Sequence, residues 1–158
     1  MSTETPTQAV EAPPTGRACV VLLGGRPFAI DVTDAREVVV LGSTTPVPGA
    51  PPTVLGVMNL RGSIMPVVEA RPLLGLPAHT RSDRALVLAD GDRRAAVVIE
   101  GVLGLAALDT IDPTADAGDL TLGAVALETG GRAPLLDARG TLAAVRRAWD
   151  AAREGHET

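Results

Sequence analysis

Leu55-Gly56-Val57-Met58-Asn59-Leu60, followed by Pro66-Val67-Val68-Glu69-Ala70-Arg71, has a second copy further along the chain. Leu122-Gly123-Ala124-Val125-Ala126-Leu127 and Pro134-Leu135-Leu136-Asp137-Ala138-Arg139 repeat it in order and residue type. The offset is 67 residues and becomes 68 after one extra turn residue. Upstream the correspondence continues. Ala18 to Leu23, Gly24-Gly25 and Phe28 to Val32 read as strand, tight turn, strand. Ala85 to Ala89, Asp90-Gly91 and Ala95 to Ile99 repeat that pattern. Glycine in a two-residue connection supplies the positive φ that hairpin turns need. A short apolar stretch then precedes the Leu-Gly strand in each copy: Val38 to Leu41 and Val102 to Leu108. A repeat of this length marks a duplicated unit, so two β-rich halves are expected at about 18–76 and 84–142.

Short strands, turn residues about every ten positions and frequent Val and Ile point to barrels or a sandwich. Helix is expected in three places. One starts at Thr33 or Asp34 and runs to about Val38, and a second is a single turn after Val68, limited by Pro72. The third covers Thr141 to Ala151, where Leu142, Val145 and Trp149 form an apolar stripe opposite Arg146, Arg147, Asp150 and Arg153. Residues 1–16, rich in Thr, Pro and Glu, read as a disordered leader with neither region of a signal peptide. The folded domain is expected over 17–150, with a frayed tail over 151–158.

Composition narrows the function. The chain has 158 residues, a net charge of −5 and 14 basic residues, all of them arginine. With no lysine there is no P-loop lysine and no Schiff-base lysine. With no tyrosine, one phenylalanine (Phe28) and one tryptophan (Trp149), it lacks the basic groove and stacking platforms of a nucleic-acid binder. Cys19 has no partner for an internal disulfide and reads as core filler. No apolar run reaches the roughly 18 residues of a membrane span, so no direct membrane insertion is expected.

Catalytic chemistry finds no foothold. Ser2, Ser43, Ser63 and Ser82 lie outside any nucleophile elbow, and His79 and His156 sit in a loop and a tail. Asp109, Asp112, Asp116 and Asp119 miss the ligand spacing of a calcium loop and read as solvated loop charge. No catalytic residue, metal or cofactor is assigned. A small-ligand-binding β-barrel would need a roomy, polar-lined pocket, whereas Ala, Val and Leu in these strands predict filled barrels.

The turn Asn59-Leu60-Arg61-Gly62 stands apart. It holds the chain's only asparagine beside a glycine, the residue types that tolerate left-handed backbone. Such a turn would hold the Arg61 guanidinium outward between two stiff strands, ready to pair with a carboxylate or backbone carbonyls at little entropic cost. The matching turn, Glu128-Thr129-Gly130-Gly131, has no arginine, so Arg61 is not part of the shared framework.

Gly56-Val57-Met58-Asn59-Leu60-Arg61-Gly62, then Pro66-Val67-Val68-Glu69-Ala70-Arg71, closely resembles the signature of the CheW-like family of bacterial chemotaxis adaptors. There the pattern is Gly-x-x-Asn-Leu-Arg-Gly, then Pro-Val-Ile-Asp-Leu-Arg. Ala35-Arg36-Glu37-Val38, Ile99-Glu100-Gly101-Val102 and Pro134-Leu135-Leu136-Asp137 resemble further family segments, with Glu for Asp at Glu69 and Glu100. The resemblance covers about 18–145. It implies an all-β fold of two packed five-stranded SH3-like β-barrels, internally duplicated, with a short C-terminal helix. It also implies two partners, the regulatory domain of a CheA-type histidine kinase and the cytoplasmic tip of chemoreceptors, with assembly into rings beneath receptor arrays. The implied location is cytoplasmic, at those membrane-associated arrays. Carried over by position, the partner-binding residues are Glu37, Val38, Gly56, Asn59, Leu60, Arg61, Gly62 and Gly123. The resemblance leaves two matters open: whether the pathway is flagellar, and whether one or both partners are bound.

Overall fold

The computed structural model describes residues 16–77, 81–108, 111–115 and 118–157, with side chains described through Glu154. The expected leader lies outside these residues apart from Gly16, as does His79. Ten strands run in chain order: β1 (Arg17–Leu23), β2 (Arg26–Asp31), β3 (Ala35–Val40), β4 (Val54–Leu60), β5 (Ser63–Val68), β6 (Arg84–Asp90), β7 (Arg93–Ile99), β8 (Gly101–Ala107), β9 (Thr121–Ala126) and β10 (Arg132–Leu136). A helix, α1 (Ala138–Glu157), follows. The strands form two five-stranded sheets, ordered β8-β1-β2-β10-β9 and β3-β6-β7-β5-β4.

The repeat and the barrels therefore do not coincide. The second barrel is built from β3 to β7, and the first from β1, β2, β8, β9 and β10. Each half of the sequence lends its opening hairpin to the other half's three strands. The expected division at 18–76 and 84–142 is thus corrected: residues 35–99 make one barrel, inserted between the two pieces of the other. The seams include two parallel pairings, Leu135 with Ala29 and Val67–Val68 with Ala96–Val97.

This exchange accounts for a feature of the sequence. The hairpin strands are apolar on both faces, because one face lines a barrel and the other packs against the opposite barrel. In β6, Ala85 and Val87 point into the second barrel, while Leu86 and Leu88 join Val21, Leu23, Phe28 and Ile30 in the layer between the barrels. In the first barrel, Ala18, Val20, Ala29, Val125 and Leu135 fill the interior. Among the described residues, apolar side chains fill the interiors of both barrels. Cys19 packs partly buried on the central layer, and burial pushes its thiol pKa up.

The helix expected from Thr33 or Asp34 is instead a turn leading into β3. Asp31 accepts hydrogen bonds from the Thr33 amide (2.9 Å) and hydroxyl (2.8 Å), forming a local turn rather than a helix cap. The β-branched run Val38–Val40 then takes the open edge of β6. The third helix is longer than expected, 20 residues against the eleven of 141–151, and it runs into the expected tail. Asp137 caps it, its Oδ1 accepting the Gly140 amide at 2.9 Å. Leu142 and Val145 are buried, with Trp149 half-buried, against the central layer. At the matching place in the first half, Pro72 and a left-handed Gly75 limit the chain to a 3-10 turn over Pro72–Leu74.

Candidate functional site

Two glycines close the barrels. The chain leaving β3 returns to pair Thr45 with Val57, and the chain leaving β8 pairs Asp112 with Ala124. These bridges are repeat equivalents, with reciprocal N–H···O contacts of 2.9 and 2.9 Å in one, 2.7 and 3.0 Å in the other. Beside each stands a glycine at positive φ, Gly56 (154°) and Gly123 (131°). A Cβ on Gly56 would lie 2.4 Å from the Thr45 carbonyl oxygen, and one on Gly123 2.5 Å from that of Asp112. No Cβ fits there. The structure thus gives both glycines a role inside their own barrels: they let the closing strand cross at contact distance. They lie in different barrels and do not converge with the remaining candidates.

The other candidates gather at one end of the second barrel. The β4–β5 turn has positive φ at both central positions, Arg61 (50°) and Gly62 (89°), the pattern of a tight hairpin turn. Asn59 Oδ1 accepts the Gly62 amide at 2.8 Å and steadies the turn. Leu60 turns inward and packs onto the barrel core beside Met58 and Met65. Arg61 is the one non-glycine residue at positive φ among the described residues. In the other barrel, glycines (Gly130 and Gly131) take the positive φ values of the corresponding turn. An arginine held in left-handed backbone costs on the order of 1 kcal/mol, which points to a use for its side chain.

That side chain reaches across the barrel mouth. The Arg61 guanidinium donates to the Glu37 carboxylate on edge strand β3 in an ion pair whose side chains are 66% and 37% exposed. Arg36 and Arg94 line the same mouth with Ser63 and Met65, so three arginines and Glu37 share this end of the barrel. Val38, next along β3, is 42% exposed. Sequence reasoning missed Arg36 and Arg94, which acquire meaning only once β3 and β7 are folded to the same end. Asp112 and Asp119 are the described members of the acidic loop, and Asp112 is occupied locally. Hydrogen bonds from the Thr114 hydroxyl (2.8 Å) and amide (3.0 Å) hold its carboxyl below the usual range. Asp109 and Asp116 lie outside the described residues.

A second ionic group was legible only as two mild departures in the motif. Arg71 is 3% exposed and bonds bidentately to Glu69, with Nε to Oε2 at 2.7 Å and Nη2 to Oε1 at 2.5 Å. Its Nη1 reaches Glu100 Oε2 at 2.9 Å. Glu100 in turn accepts the amides of Gly24 (2.8 Å) and Gly25 (2.9 Å) in the β1–β2 turn. One network therefore ties the end of β5, the β7–β8 junction and the exchanged hairpin. Burial pushes the Glu100 pKa up, but the Gly25 amide, Arg71 and the Gly24 amide outweigh it, so it lies below the ordinary glutamate value. The Arg71 pKa is raised, chiefly by its hydrogen bonds to Glu69. Glu69 and Arg71, opposite charges two residues apart at the end of an apolar strand, were the available signal, because a charge in an otherwise apolar stretch is buried only when paired.

These features define a duplicated, strand-exchanged two-barrel β scaffold whose distinguishing exposed feature is a charged turn pinned to an edge strand. Comparison with known proteins agrees. The family model described as CheW-like domain matches residues 17–146. The chemotaxis protein CheW of Bacillus subtilis is 35% identical over 75 residues, 47% of this chain and 48% of that protein. Its namesake in Rhizobium meliloti is 35% identical over 66 residues, 42% and 43% of the respective chains. These matches span about half the length of the relatives. The solved structure of the scaffolding protein TtCheW from Thermoanaerobacter tengcongensis superposes with a TM-score of 0.69 at 21% identity, covering 78% of this chain and 89% of that one. The chain belongs to the CheW-like domain family.

Proposed function

We propose that this chain is a non-enzymatic adaptor that couples chemoreceptors to a CheA-type histidine kinase in chemotaxis signalling. In this reading it works in the cytoplasm, recruited to receptor arrays. The observation that carries the reading is the Arg61–Glu37 pair: a guanidinium kept in unfavourable backbone conformation, aimed across the mouth of a plugged barrel at the surface. The relatives' names, chemotaxis protein and scaffolding protein, support the same assignment. The barrel mouth with Glu37, Val38, Asn59, Leu60, Arg61 and Gly62 is the kinase-facing surface. Val38 gives apolar contact, and the charges around Glu37 set the register of docking. Gly56 and Gly123 contribute indirectly, by keeping each barrel closed.

No described helix is long and apolar enough to cross a membrane, so attachment to an array would run through the receptor. The test is co-sedimentation of the purified chain with receptor-bearing membranes, with and without the kinase, while phosphorylation is followed in the same samples. Pelleting with receptor, together with receptor-dependent control of the kinase, supports coupling. Failure to bind either partner would overturn it.

A further inference from the structure

A groove of about 490 Å³ runs between α1 and the outward face of the second barrel. Its floor is apolar, with Ile64 (65% exposed) and Pro66 of β5 on one side and Trp149 of α1 on the other. Four guanidinium groups, Arg93, Arg94, Arg146 and Arg153, line it, against two carboxylates, Asp92 and Asp150. Among the described residues the only ion pair of these four arginines is Arg146 with Asp150, at 3.4 Å. In a chain of net charge −5, this is a local reversal of sign over an exposed apolar surface.

The geometry points to a docking groove for an acidic amphipathic helix supplied by another protein. Charge complementarity selects the carboxylates: a partner with acidic edges meets Arg93 and Arg94 on the sheet side and Arg146 and Arg153 on the helix side. The strand order selects a helix. β5 lies between β7 and β4, and β7 between β6 and β5, so neither floor strand is a sheet edge onto which an extended peptide could add as a further strand. Recognition must go through side chains, which suits an amphipathic helix laid into a groove. The lining of α1 extends from Leu142 to Arg153, about three turns or roughly 16 Å, and sets the length of the contact. The groove shares Arg94 and Met65 with the barrel mouth and so adjoins it, but the titration that tests the groove uses neither kinase nor receptor.

Trp149 is the chain's only tryptophan, so its emission reports on the groove directly. The probe is a stapled helical peptide of three turns with leucines on one face and glutamates flanking them, titrated into the whole chain. The expected result is a saturable shift in Trp149 emission that weakens as salt rises, with no response to the same peptide carrying lysine for glutamate. Arg93→Glu with Arg153→Glu, both at exposed positions, should weaken the acidic peptide roughly tenfold and admit the lysine peptide, with the circular dichroism unchanged. The proposal is overturned if the acidic peptide gives no saturable shift, if the lysine peptide responds equally, or if the double substitution changes nothing. A shift with phosphatidylglycerol vesicles and none with the acidic peptide would overturn it in favour of a lipid surface.

Discussion

Replacing Arg61 by glycine separates what the arginine does for the fold from what it does for binding. Three terms decide the stability change. Glycine relieves left-handed backbone at φ 50°, a gain of about 1 to 2 kcal/mol. It frees the unfolded chain, a loss of about 0.4 to 1 kcal/mol. It also removes an ion pair whose side chains are 66% and 37% exposed, and such solvent-screened pairs contribute only about 0.2 to 1 kcal/mol. The sum lies within about 1 kcal/mol of zero, so Arg61→Gly should unfold in urea at nearly the wild-type midpoint. Arg61→Ala keeps the strain, loses the pair and should be slightly less stable than Arg61→Gly. Both variants should nevertheless lose ternary assembly in sedimentation, by about 1 to 3 kcal/mol, the scale of charge-assisted hydrogen bonds. Full assembly by Arg61→Gly would make Arg61 a strained turn residue and nothing more. A loss of stability above about 2 kcal/mol would show that the exposed pair holds the barrel together.

Other consequences can be checked on the purified chain. Gly56→Ala and Gly123→Ala each force a Cβ to within 2.4 or 2.5 Å of a carbonyl oxygen, and each should cost at least about 2 kcal/mol in urea unfolding; wild-type midpoints would refute the closing role. Arg71→Met leaves Glu69 and Glu100 facing each other without their cation, and should cost about 3 to 5 kcal/mol; a near-neutral result would contradict the network's role as a tie. Because the Glu100 pKa is depressed in the fold, its contribution is present above the ordinary glutamate value and lost as pH falls through the lower folded value. Glu100→Gln should therefore be less stable than wild type near neutrality and show a shallower loss of stability on acidification. Parallel acid profiles would remove Glu100 from that account.

Much of this architecture was legible because the duplicated segments carry their physics with them. Equal spacing of the Leu-Gly strand and the Pro-initiated strand located β4, β5, β9 and β10, and the glycine hairpins located β1–β2 and β6–β7. The exchange of hairpins was not legible. A repeat shows that two units share a pattern, but strand pairing is decided by which apolar faces meet, and the hairpins are apolar on both. The error at Thr33 came from local chemistry. A polar cluster before an apolar run serves a helix cap or a turn equally well, and the vacant edge of β6 decided for strand. At the site, the turn chemistry of Asn59 and Gly62 foretold an outward Arg61, yet its partner lies 24 residues upstream on another strand. The two glycines carried over as binding positions have a steric meaning visible only when the closing chain lies across them. The Arg71 network was hidden for a related reason, since Glu100 meets Arg71 only after β7 and β5 pair in parallel.

The most direct measurement of the central claim is an amide chemical-shift map of the labelled chain titrated with the regulatory domain of a CheA-type kinase. Saturable shifts are expected at the barrel mouth, over Glu37, Val38 and the turn from Asn59 to Ser63, with their loss in Arg61→Gly. Shifts confined to the first barrel, or a mouth untouched at saturation, would contradict that claim.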